Sequence, residues 1–163
     1  MGDAGPEMAR ERFAALLAPV IDVVRDRTLD DALKARLEAH LPANGEAFLA
    51  IERACHAAIA AGWMCTEGGG QRRFGRIFEP SAALGGFSVD VVDITELVGN
   101  HHRHPTGEID MIMPVTPGAR FDGCGPGWLV YPSGSAHRPT VGGGRALVLY
   151  LLPERRIEWT RAA

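Results

Sequence analysis

The chain has 163 residues, 46% hydrophobic and 23% charged, with a formal net charge of -3. That composition belongs to an ordinary soluble globular protein of one sizeable core, and it gives no electrostatic reason to expect nucleic acid or an anionic membrane as a partner. Three widely spaced cysteines without a CxxC pair (Cys55, Cys65, Cys124), and no apolar leader or membrane-length apolar run, predict a cytoplasmic protein.

Residues 1–6 read as a loose start. From Glu7 to Arg25, apolar side chains recur every three or four residues (Phe13, Leu16, Leu17, Val20, Ile21, Val24), which predicts an amphipathic helix with a bend at Pro19. A second helix is expected after Thr28. Asp30 and Asp31 stand in its first turn, Leu29, Leu33, Leu37 and Leu41 form its stripe, and Pro42 stops it. Asn44 is a candidate cap for a third helix from Gly45 to Ala61, ended by Gly62. His40 and His56 lie on these helices, join no motif and are assigned no role.

At Trp63 the pattern changes. Gly68-Gly69-Gly70 reads as a turn; no Lys-Ser/Thr pair follows to make it a phosphate loop. Strand signals run over 72–78, 87–94, 109–115, 127–131 and 146–152, separated by Gly- and Pro-rich turns. Helices followed by many short strands predict an α+β protein: a helical segment over 1–64 packed on an antiparallel β unit over 65–163.

The chemistry concentrates in His101-His102-Arg103-His104-Pro105-Thr106-Gly107-Glu108-Ile109-Asp110. Side chains alternate along a strand, so His102 and His104 share a face and His101 takes the other. A tight turn at Pro105–Gly107 returns Glu108 to the first face, and His137 follows another turn at Pro132–Ala136. Imidazoles and a carboxylate converging in this way suit a divalent first-row metal with positions left open, without selecting among iron, manganese, zinc and nickel.

These two stretches resemble the paired motifs of the cupin superfamily. Gly99, His102-Arg103-His104 and Glu108 match the first, and Pro132-Ser133-Gly134-Ser135-Ala136-His137 matches the second; Val141 stands where an Asn is usual. The resemblance implies a jelly-roll barrel over roughly residues 70–160, with His102, His104, Glu108 and His137 as metal ligands. The helical lead-in and the stretches Gly107–Pro114, Val130–Val141 and Leu149–Pro153 further resemble the 4-hydroxylaminobenzoate lyase family over nearly the whole chain. That likeness implies conversion of 4-hydroxylaminobenzoate and water to 3,4-dihydroxybenzoate and ammonia, a carbon–nitrogen lyase reaction of nitroaromatic breakdown. Cupin barrels often pair, and the apolar helices offer a surface for a homodimer.

Such a reaction needs an acid for the leaving group and a base for water. Glu108, Asp110 and Tyr131 are the candidates. The substrate carboxylate calls for an arginine fork, for which Arg72, Arg73, Arg76 and Arg138 are available, with Arg138 nearest the second motif and Arg76 on a predicted strand. Trp128, Phe74 or Phe78 would pack on the aromatic ring. Two alternatives share the ligand set: a metal-dependent dioxygenase acting on a small aromatic or thiol, and a non-enzymatic ligand-binding cupin.

Overall fold

The computed structural model describes residues 5–160. Helices come first, as expected: α1 (Pro6–Val24), α2 (Asp31–His40) and α3 (Glu46–Ala61). Gly5 and Pro6 open α1, residues 1–4 of the expected loose start lie outside the described residues, and Pro19 sits inside α1 without ending it. Asp30 caps α2, its Oδ1 accepting from the Leu33 amide at 2.9 Å. Asn44 is not the cap of α3. Gly45 holds that position with no side-chain bond, and Gly62 closes the far end.

Ten strands follow among the described residues: β1 (Glu67–Gly69), β2 (Arg72–Phe78), β3 (Phe87–Val98), β4 (His102–His104), β5 (Glu108–Pro114), β6 (Arg120–Phe121), β7 (Gly127–Tyr131), β8 (Ser135–His137), β9 (Thr140–Pro153) and β10 (Glu158–Trp159). Gly68 and Gly69 belong to β1 rather than to a turn, and pair with Arg73 and Arg72 in a tight hairpin. One sheet has the order β1-β2-β3-β9-β5-β7, with β6 also on β9; the other is β10-β4-β8. Every pairing is antiparallel.

Strand parity divides the larger sheet into two chemistries. Val89, Val91, Ile109, Met111, Met113, Trp128, Leu147, Leu149 and Leu151 point to one face and join Phe13, Leu17, Leu37, Phe48 and Ile51 of the helices in one buried core. The intervening residues face the barrel interior, where Val92, Ile94, Ile112, Phe121, Val141 and Val148 form a second, smaller core. Glu108 and Asp110 on β5, and Asp90 on β3, have the inward parity and line the interior cavity. Asp90, Glu108 and Asp110 are thus on the face the helices do not cover.

Candidate metal centre and cavity

In β4, His102 and His104 are buried while Arg103 between them is exposed, the alternation a strand imposes. The turn after β4 depends on glycine. Gly107 has φ +85°, its amide donates to the His104 carbonyl at 3.2 Å, and a Cβ there would stand 2.6 Å from the Tyr131 carbonyl oxygen. Gly99, the leading residue of the first motif, meets another constraint: a Cβ would lie 2.8 Å from the Pro139 ring. β8 pairs with β4 and sets His137 directly opposite His102.

The three imidazoles converge through Nε2. His104 Nε2 lies 3.2 Å from His102 Nε2 and 2.9 Å from His137 Nε2. Glu108 Oε2 stands 3.3 Å from His104 Nε2 and 4.0 Å from His137 Nε2. The outer nitrogens fix the tautomers. His102 Nδ1 faces the Asn100 carbonyl at 3.1 Å and His137 Nδ1 faces Asp122 Oδ2 at 2.6 Å; both partners only accept, so both Nδ1 atoms carry the proton. The Nε2 lone pairs of His102 and His137 therefore point into the same small space. Burial lowers the His102 imidazole to about 4 and that of His104 to about 3, which keeps both neutral at neutral pH.

Converging lone pairs repel unless a cation lies between them. Donors about 3 Å apart are spaced as two ligands roughly 2.1 Å from one ion must be when they meet it near right angles. The donor set therefore fits a metal, with His102, His104 and His137 as a compact group and Glu108 at its side.

Asp110 continues the wall beyond Glu108. It is 1% exposed, and among the described residues neither carboxylate oxygen has a donor apart from the neighbouring Glu108 carboxyl. Burial pushes Asp110 up to about 7, and burial followed by the Asp110 charge raises Glu108 well above the carboxylate range. Two buried acids in contact hold one proton between them more readily than two charges.

Tyr131 is not positioned as an acid or base in the cavity. Its hydroxyl donates to Asp122 Oδ2, the oxygen that also receives the His137 proton. Asp122 is the residue that sequence reasoning missed. Its Oδ1 accepts from the Thr140 amide at 2.8 Å, and although burial opposes the charge, the bonds from His137, Tyr131 and Thr140 hold its carboxyl below the usual range. In sequence, Asp122-Gly123 signals only a turn.

The cavity measures about 310 Å³, at the lower end of the roughly 300–1,000 Å³ usual for small-molecule sites. His102, His137, Glu108 and Asp110 form its polar wall, while Phe74, Val92 and Val148 contribute apolar surface. Several expected substrate contacts are displaced. Trp128 has the opposite parity from Tyr131 and is 2% exposed, edge-on to Phe48, with Nε1 donating to the Leu41 carbonyl at 2.8 Å. Arg138 is exposed and off the cavity wall, because β8 ends at His137 with that imidazole facing inward. Arg76 does reach the wall, but both arms of its guanidinium hold Asp90, at 2.9 and 3.1 Å. Phe78 packs instead against the core shared with the helices. His101 bonds Thr160 at 2.6 Å, outside the cluster.

An antiparallel barrel that brings a His-x-His pair, a following Glu and a later His to one interior wall is a cupin. The family model described as "PnbB: 4-hydroxylaminobenzoate lyase" matches residues 15–159, and the chain belongs to this lyase family. A 4-hydroxylaminobenzoate lyase of Nocardioides sp. (strain LMS-CY) is 30% identical over 150 residues, covering 86% of this chain and 89% of that protein. One from Pseudomonas putida is 26% identical over 167 residues, covering 92% and 95%. Among solved structures, the DMSP lyase DddQ from Ruegeria pomeroyi DSS-3 is 20% identical with a TM-score of 0.49, covering 88% of this chain and 76% of that one. Oxalate oxidase in complex with glycolate is also 20% identical, with a TM-score of 0.40, covering 58% and 60%.

Proposed function

We propose that the protein is a 4-hydroxylaminobenzoate lyase that binds a divalent metal through His102, His104 and His137, with Glu108 completing the set, and converts its substrate and water to 3,4-dihydroxybenzoate and ammonia. The observation that carries this reading is the convergence of three imidazole Nε2 atoms beside the Glu108–Asp110 pair, on the wall of a cavity sized for one aromatic ring. No helix among the described residues is long and apolar enough to cross a membrane, and the reaction involves only small molecules.

The overall change is redox-neutral. The N–O bond breaks and its oxygen leaves as water, oxygen from water enters at the ring carbon beside the one bearing nitrogen, and hydrolysis by a second water at the nitrogen-bearing carbon releases ammonia, for a net consumption of one water. Nitrogen gains the two electrons that the ring loses, so neither dioxygen nor a reductant is consumed. A metal held here would supply Lewis acidity toward an oxygen of the substrate or of water. The chain's own residues handle protons. Asp110, poised near neutrality and without a partner other than Glu108, takes a proton from water or returns one to the departing group. Asp122 and Tyr131 do not touch the substrate; they hold His137 in the tautomer that offers Nε2. Phe74 and the aliphatic wall keep bulk water off the ring.

The test is incubation of metal-analysed protein with 4-hydroxylaminobenzoate under strict anaerobiosis, following ammonia and 3,4-dihydroxybenzoate. Equal amounts of both are expected, with His102→Ala and His137→Ala losing bound metal and turnover together. Turnover retained by a metal-free variant, or a strict need for dioxygen, would reject the proposal.

A further inference from the structure

We propose that Arg72 is the anion subsite of the cavity: its guanidinium receives the carboxylate of an aromatic acid and thereby turns the other end of the ring toward the imidazoles. The substrate's identity rests on the lyase reading, whereas the class of ligand, an aromatic carboxylate, does not.

Two guanidiniums line the cavity, Arg72 and Arg76. Arg76 is committed, since its Nε and Nη2 engage both oxygens of Asp90. Arg72 makes no ion pair and no hydrogen bond among the described residues. Its Cζ lies 4.5 Å from the centre of the Phe74 ring, and the side chain is half-buried. Stacking of this kind holds the guanidinium plane while leaving its N–H edge free for a bidentate partner.

Acids line the same wall, and one of them, Glu67, is on β1 beside the strand that carries Arg72. The acids of the wall are Glu67, Asp90, Glu108 and Asp110, and Asp90 alone has an arginine partner. An anionic ligand finds in Arg72 the wall guanidinium that no carboxylate already holds. Arg72 pairs with Ile94 on β3, which pairs with Ala146 on β9, which pairs with Pro114 on β5. Arg72 is therefore three strand spacings of about 4.8 Å from the strand that carries the acids, and its register partner there, Pro114, stands four residues beyond Asp110. A ligand held by Arg72 lies along the cavity, with its carboxylate at one end and its other substituent directed toward the acids and imidazoles. Arg138 has no comparable position, being exposed and off the wall.

The direct test compares binding of benzoate and of the uncharged isostere benzamide by calorimetric titration, in the wild-type protein and in Arg72→Gln. A charge-assisted fork predicts that wild type prefers benzoate about tenfold or more, and that R72Q weakens benzoate by about 10–100-fold with benzamide unchanged. Should R72Q fold poorly by circular dichroism, Arg72→Met, which keeps the apolar stem on Phe74, replaces it with the same expectation. With 4-hydroxylaminobenzoate, KM rises by about the same factor while kcat changes little, and phenylhydroxylamine shows no such penalty. No benzoate preference in wild type, an undiminished preference in R72Q or R72M, or loss of the preference in Arg138→Gln instead, overturns the proposal. If the wild-type protein forms no ammonia from 4-hydroxylaminobenzoate, the lyase reading fails, and the benzoate–benzamide comparison still decides the role of Arg72.

Discussion

Asp122→Asn is the substitution that most sharply separates a positioning role from a merely structural one. In the wild type, Oδ2 accepts from both His137 Nδ1, at 2.6 Å, and the Tyr131 hydroxyl, while Oδ1 accepts from the Thr140 amide at 2.8 Å. Both oxygens are acceptors in use. An amide of the same shape has one acceptor and one donor, so either orientation sets an N–H against another N–H. With the NH₂ toward His137, the imidazole relieves the clash by moving its proton to Nε2, the nitrogen facing the metal position. With the NH₂ toward Thr140, a backbone donor is stranded instead. Loss of such a supporting carboxylate costs about 10–100-fold in metal affinity, or roughly 1.4–2.7 kcal/mol. Competition between the apoprotein and a chromogenic chelator for zinc or cobalt reads this directly, without reference to turnover. Tyr131→Phe removes only one of the two donors on Oδ2, and a decrease of a few-fold is expected. Metal affinity of D122N within twofold of wild type, in a protein folded by circular dichroism, would refute the argument that Asp122 sets the His137 tautomer.

Gly107→Ala forces a positive φ on a residue with a Cβ and drives that atom to 2.6 Å from a backbone oxygen and 2.7 Å from Leu29 Cδ2. A stability loss of about 2 kcal/mol or more is expected in urea titrations, and a neutral result would remove the turn from the argument. Trp128→Phe strands the Leu41 carbonyl and loosens the contact with Phe48, costing about 1–3 kcal/mol of stability with KM unchanged; a raised KM would return Trp128 to the substrate wall. Burial pushes the Cys65 thiol up to about 12 and raises Cys55 as well, so thiolate is scarce at pH 8 in the folded protein. Half-exposed Cys124 should react with a thiol reagent before either, and all three should react together only in denaturant; rapid labelling of Cys55 in native buffer would contradict the packing.

Much of the site is local, and for that reason legible. The shared face of His102 and His104, the return of Glu108 after a glycine turn, and the inward parity of Asp110 all follow from the two-residue period of a strand. The same period also decides against Trp128. It lies three residues from Tyr131 on β7 and so must take the opposite face, and proximity to the second motif in sequence is no guide to direction. What the sequence hides is pairing across elements. Asp122 and His137 are separated by 15 residues and meet because β6 pairs with the start of β9, just beyond His137. Which arginine is free is hidden in the same way, since it depends on Asp90 reaching Arg76 across a strand pair.

The helical lead-in is fixed to the barrel by the same parity. On β3, β5 and β9 the outward residues Val89, Val91, Ile109, Met111, Met113, Leu147, Leu149 and Leu151 are all buried with the helices in one core. Specific bonds reinforce the contact: Glu38 Oε1 accepts from the Trp128 amide at 3.2 Å, and Arg10 Nη1 donates to the Ile77 carbonyl at 3.0 Å. Residues 65–163 expressed alone would present that whole face to water. Each of these side chains gains about 1.5–3 kcal/mol from burial, so the loss is as large as, or larger than, the roughly 5–15 kcal/mol by which a domain is stable. An apolar surface of that extent would also drive association. The fragment is therefore expected to be aggregated or to bind a hydrophobic dye, without a cooperative thermal transition, and to regain one when residues 1–64 are supplied as a separate chain. A monomeric 65–163 fragment that unfolds cooperatively near the full-length midpoint would show that the barrel is self-sufficient and that the helices are an appendage, contrary to the shared core.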